Sequence, residues 1–188
     1  TNPTTVNAWA SDTKAQVIAT NIWQNNDPGP YFEWSGASDT GSGVAGYAVY
    51  WGTGSAGEPG TVITRAAAEG GTTKYFVTSP APTGTVYYLR ARTIDGAGNP
   101  AAASATLFTL KYDKTTPLVP DLFVPVRDSI IAISSPTFQW SAVNDPSGIT
   151  YSIQACNWFD FVSLALDLVG YTNTSYTRSS PFGEGKFY

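Results

Sequence analysis

Pro30-Tyr31-Phe32-Glu33-Trp34-Ser35-Gly36-Ala37-Ser38-Asp39 returns 106 residues later as Pro136-Thr137-Phe138-Gln139-Trp140-Ser141-Ala142-Val143-Asn144-Asp145. Phe, Trp, Ser and Asp recur in place. The match runs on from Ser42-Gly43-Val44 and Tyr47 to Ser147-Gly148-Ile149 and Tyr151, with the offset slipping to 105 and then 104. A period of about 100 residues is too long for a solenoid unit and matches one small β-sandwich. The chain therefore reads as two copies of one sandwich.

Within each copy the pattern is that of strands. Phe32 and Trp34 alternate with Tyr31, Glu33 and Ser35, so one face is expected to be buried and Glu33 to point outward. A turn rich in Asp, Gly and Ser follows, and then Gly46 to Trp51, with Tyr47, Val49 and Trp51 on one face. Thr61 to Thr64 and Lys74 to Thr78 read as further strands. The clearest is Val86 to Ile94, with Tyr87, Leu89, Ala91 and Thr93 inward and Tyr88, Arg90 and Arg92 outward. Asp95-Gly96-Ala97-Gly98-Asn99 turns the chain into a last strand, Ala105 to Tyr112. Only Arg65 to Glu69 hints at helix, and it is too short to hold one alone. The fold class expected is all-β, a tandem pair of sandwiches.

Composition narrows the chemistry. The 188 residues carry 10 Lys and Arg against 14 Asp and Glu, a formal net charge of −4. An acidic surface argues against a nucleic-acid backbone or an anionic membrane as the main partner. The chain has no His, so Ser/His/Asp and Cys/His catalysis and His-based zinc sites are excluded within it. Cys156 is the single cysteine, which rules out an intrachain disulfide; a small buried side chain is the expected role, an intermolecular disulfide the alternative. A chain without Met is expected to be a processed product or a piece of a longer one. No apolar run reaches the 18 or so residues needed to span a bilayer.

The organisation expected is an N-terminal extension or linker over 1–14, a first sandwich over 15–113, a Pro-rich linker over 114–120 and a second sandwich over 121–188. Tyr87-Tyr88 aligns with Phe187-Tyr188, so the second copy is expected to lack its C-terminal strand or strands. A sandwich short of a strand presents an edge that another chain can fill. Thr5 to Ala10, or Gln16 to Thr20, alternates well enough to serve as the donor.

Phe-x-Trp-Ser, then Asp39 to Tyr47, then Thr85 to Ala91 leading into Ile94 to Asn99, resembles the fibronectin type III-like and Ig-like tandem repeats of large prokaryotic cell-surface proteins. Phe108 to Asp113 followed by Thr-Thr-Pro is similar to the joints of such arrays. The resemblance implies an extracellular, cell-surface location and a non-catalytic role as stalk, spacer or adhesion module. Its partners would be neighbouring domains or copies of the same protein. Two alternatives stand beside it: a filament subunit assembled by strand complementation, and a carbohydrate-binding accessory module that meets cell-surface polysaccharide.

Candidate chemistry is sparse, and no cofactor other than Ca2+ is implied. In the fibronectin-like topology that the resemblance implies, the turns holding Asp39, Asp95 and Asn99 fall at one end of the first sandwich, where oxygen ligands could gather a calcium ion. The competing role is acceptance of hydrogen bonds from their own turn amides. Trp51 and Trp23 are the foremost candidates for stacking on sugars, with Trp9 and Trp158 behind them; Trp34 and Trp140 are expected in the cores. Glu33, Glu58, Glu69 and Glu184 show no spacing that pairs carboxylates for glycoside hydrolysis. Asn173-Thr174-Ser175 fits an N-glycosylation sequon at Asn173.

Overall fold

A computed structural model describes residues 1–25, 29–69, 71–78, 81–127, 129–156 and 162–183. The described residues form an all-β structure of thirteen strands in four open sheets. The chain divides into two compact units, Thr1–Thr115 and Thr116–Tyr188.

The first unit holds β1 (Thr5–Trp9), β2 (Trp23–Gln24), β3 (Tyr31–Ser35), β4 (Val44–Gly52), β5 (Arg65–Ala66), β6 (Thr73–Phe76), β7 (Thr85–Asp95) and β8 (Ala105–Tyr112). They assemble as a sheet of order β1-β3-β6 and a sheet of order β2-β8-β7-β4-β5. Alternate residues point to one face, and the two inner faces meet in one core. Phe32 and Trp34 from β3 pack with Tyr47, Leu89, Ala91, Phe108, Leu110 and Tyr112 from the larger sheet. The Phe32 and Phe108 rings lie 5.2 Å apart, and Trp34 meets Tyr47 edge-on at 5.6 Å. Leu89 and Ala91 are fully buried, as the alternation in β7 predicts.

Several expectations change. Residues 1–14 are not an extension, because β1 pairs antiparallel with β3 from Thr5↔Ser35 to Trp9↔Tyr31. The same pairing occupies the segment read as a donor for another chain. Gln16 to Thr20 is also engaged at home, since Val17 bridges Trp9 and the Ile18 amide donates to Ala8 O at 3.0 Å. Thr61 to Thr64 is not a regular strand. There Thr64 clips the edge of β4, its amide donating to Tyr47 O at 2.9 Å while its hydroxyl accepts from the Val49 amide at 3.0 Å. The helical hint after it is strand β5, which crosses so close to β4 that a Cβ on Gly46 would lie 2.6 Å from Arg65 O.

The second unit holds β9 (Leu122–Val124), β10 (Thr137–Trp140), β11 (Tyr151–Cys156), β12 (Leu164–Tyr171) and β13 (Ser175–Thr177). Its sheets have the orders β13-β10-β9 and β11-β12. Strand for strand these repeat β6-β3-β1 and β4-β5 of the first unit. The repeat extends to side chains, because Trp140 meets Tyr151 edge-on at 5.4 Å as Trp34 meets Tyr47. Counterparts of β7 and β8 are not found among the described residues. Phe187 and Tyr188, which align with the start of β7, lie outside them.

Candidate functional site

The turn after β3 and the turn after β7 meet at one end of the first unit. Asp39 Oδ2 accepts from the Gly41 and Gly43 amides at 3.1 and 3.0 Å. Asp95 Oδ1 accepts from the Ala97 and Asn99 amides at 2.9 and 2.8 Å, and its Oδ2 accepts from Asn99 Nδ2 at 3.0 Å. These are the Asx-type bonds by which short acidic side chains hold tight turns. The donations, that of the Asn99 side-chain amide foremost, keep the Asp95 carboxyl below its ordinary range. The two turns are tied together, with Gly96 N donating to Gly43 O at 2.9 Å and Ala97 N to Ser42 Oγ at 3.1 Å. A Cβ at Gly96 would sit 2.4 Å from Ser42 O, so only glycine allows this approach.

Asp39, Asp95 and Asn99 line one cleft of about 160 Å3 with Thr1, Ser38, Thr93, Pro100 and Ala101. Carboxylate and amide oxygens are thus brought to one place, each already accepting from or placed beside its own turn. Among the described residues no group of three or more His, Cys, Asp or Glu side chains converges as a metal site. Calcium takes six to eight oxygens, so these three residues would have to be joined by backbone carbonyls and water. In the second unit Asp145 repeats the turn, its Oδ1 accepting from the Ser147 amide at 2.9 Å.

The aromatic candidates separate. Trp51 lies against the core edge, stacked on Tyr87 at 5.1 Å and tilted on Phe32 at 5.7 Å. Trp23 is half-buried in β2, beside Lys111 of β8. Trp9 lies 6.0 Å from Tyr31, with the Lys14 ammonium 4.9 Å above its ring. Trp158 lies outside the described residues. Asn173 is exposed between β12 and β13.

The carboxylates are also engaged. Glu33 does point away from the core, but it is covered. Lys14 Nζ lies 2.7 Å from Glu33 Oε1, and the Tyr31 hydroxyl donates to the same atom at 2.8 Å. The Lys14 contact, and then Tyr31, lower the Glu33 pKa. Burial, and then the bond to Glu33, push the Tyr31 phenol up to about 12. Glu58 bridges Arg90 at 2.8 Å and Arg92 at 3.2 Å. Glu69 is exposed, and Glu184 lies outside the described residues.

One polar cluster escaped the sequence reading. Asp113 is buried, and its Oδ1 accepts from Thr83 Oγ1 and the Thr115 amide, both at 3.0 Å. The Lys114 amide donates to Thr83 Oγ1 at 2.8 Å. The signal available was Asp113-x-Thr115, an Asx-turn pattern at the end of a strand. It pins the chain where it leaves the first unit.

Comparison with protein-family models, with curated proteins and with solved structures returns no match for this chain.

Proposed function

We propose that the chain is a non-catalytic structural module, a pair of fibronectin type III-like or Ig-like sandwiches that acts as a stalk or spacer in an extracellular surface array. The observation that carries this reading is how the polar groups are used. Asp39 and Asp95 serve their own turns, Glu33 serves Lys14 and Tyr31, and Glu58 serves Arg90 and Arg92. Such groups hold a fold rather than meet a substrate. The strand order of the first unit and the resemblance of its turns to those of surface repeats support the same reading. So does the exit of that unit, fastened by Asp113 and followed by Pro117 and Pro120, which favour an extended connection. Calcium at the Asp39 cleft and sugar at Trp23 are secondary to this role.

The test is antibody labelling of intact source cells, with and without external protease. Label on unpermeabilised cells that protease removes is the expected result. Label that appears only after permeabilisation would overturn the location, and with it the array.

A further inference from the structure

Thr93 is 4% exposed, and no protein group bonds its hydroxyl. Its backbone is fully used, the amide donating to Asn2 Oδ1 at 2.9 Å and the carbonyl accepting from the Ala101 amide at 2.8 Å. Thr73 is as deeply buried but differs, because its hydroxyl accepts from the Ala68 amide at 3.4 Å. A buried polar group without a partner costs stability, and a valine would fill the same space in a strand without that cost. A hydroxyl kept at Thr93 therefore points to a ligand.

Alternation along β7 gives the place of that ligand. Leu89 and Ala91 send their side chains into the core between the two sheets, and Thr93, two residues further on, faces the same space. At that end of the first unit the space opens into the cleft that Thr93 lines with Asp39, Asp95 and Asn99. Asp39 Oδ2 takes both turn amides, which leaves Oδ1 unbonded. Asn99 gives its side-chain N–H to Asp95 Oδ2 and keeps its side-chain carbonyl for another partner. The Thr1 nitrogen donates to Ser38 O, so that carbonyl is already in use. What the cleft offers is oxygen only: two carboxylates, one amide carbonyl and one hydroxyl. Two carboxylates alone make no metal site, and the partnerless hydroxyl beside them is the independent observation. The cleft of about 160 Å3 has room for an ion with several waters, since one water needs only about 10–15 Å3 of such space.

We propose that this cleft binds a calcium ion through Asp39, Asp95, Asn99 and Thr93, with water completing the six to eight oxygens that calcium takes. Two carboxylates balance the two charges of the ion. Magnesium suits the site less well, because it demands a near-ideal octahedron and gives up its waters reluctantly. So few charged ligands, carried on turns, put the affinity on the order of 10⁻⁴ to 10⁻³ M. Binding joins the turn after β3, which leaves one sheet, to the turn after β7, which leaves the other. The site does not depend on where the chain resides, so its failure and that of the array reading are separable.

The test is calorimetric titration of the calcium-free full chain with CaCl2, and with MgCl2 beside it. One saturable calcium site is expected, on the order of tenfold tighter than magnesium. Calcium at ten times its Kd should raise the folded-to-unfolded ratio about elevenfold. Asp39→Asn keeps an oxygen for the turn amides but loses the charge, and should weaken binding on the order of tenfold. Thr93→Val should weaken binding several-fold while leaving the calcium-free chain at least as stable as the wild type, a pairing that a purely structural threonine would not give. Thr93→Ser, which keeps the hydroxyl, should bind as the wild type does, and so should Asp145→Asn in the second unit. No saturable binding, equal binding of the two ions, or binding that neither Asp39→Asn nor Thr93→Val weakens overturns the proposal.

Discussion

Replacing Lys14 with Met removes the cation from a covered carboxylate and keeps most of the side chain's bulk. Glu33 is only 9% exposed and would be left with the Tyr31 hydroxyl as its partner. Breaking a covered charged contact costs about 1–3 kcal/mol. Lys14 itself is 41% exposed, so solvent screening places the loss near the lower end, about 1 kcal/mol. Loss of the ammonium over Trp9 adds roughly 0.5 kcal/mol. The pH dependence separates the two contributions. The folded-state pKa of Glu33 is lowered, so its contribution is fully present above the unfolded Glu value of about 4.3 and is lost as pH falls through the folded value. Urea unfolding of the wild type and K14M at pH 7 and at pH 2.5 to 3 is the assay. The gap between them should be about 1.5 kcal/mol at pH 7, the sum of the two losses, and should shrink toward about 0.5 kcal/mol as acid protonates Glu33. K14M/E33Q should recover most of the carboxylate part at pH 7. An equal gap at both pH values would refute the reasoning, because the Lys14 contribution would then be packing alone.

Three further outcomes follow from the same contacts. Leu89→Ala empties a fully buried position between the sheets and should cost about 3–5 kcal/mol, read as lost protection of the β7 and β8 amides in hydrogen exchange. Gly96→Ala forces a Cβ against Ser42 O and should cost about 1–3 kcal/mol by chemical denaturation, with faster exchange at the Gly96 and Gly98 amides; an unchanged midpoint would remove the two turns from the stability of that end. Asp113→Ala frees Thr83 and Thr115, and trypsin should then cut after Lys114 several-fold faster than in the wild type, whereas D113N should be intermediate.

The fold of each unit was legible because its signals are local. Phe32 and Trp34 are buried together since residues two apart share a face of any strand, and Leu89 and Ala91 follow the same rule in β7. Asp39, Asp95 and Asp145 could be read as turn formers because their partners lie within four residues. The repeat of Trp34 and Tyr47 as Trp140 and Tyr151 survives as one edge-on contact in each unit.

What lay beyond the sequence was every coverage that depends on a distant segment. Alternation places Glu33 on the outer face, but only the loop bearing Lys14 decides that this face is closed. Thr5–Trp9 has the pattern of a strand free to pair anywhere, and the tertiary structure spends it on β3. Trp51 reads equally as a sugar platform or a core residue until Tyr87 and Phe32 are found against it. Side-chain direction is a property of one strand and can be read along the chain. Which edges and faces are covered is a property of strand pairs far apart in sequence, so folding alone decides it.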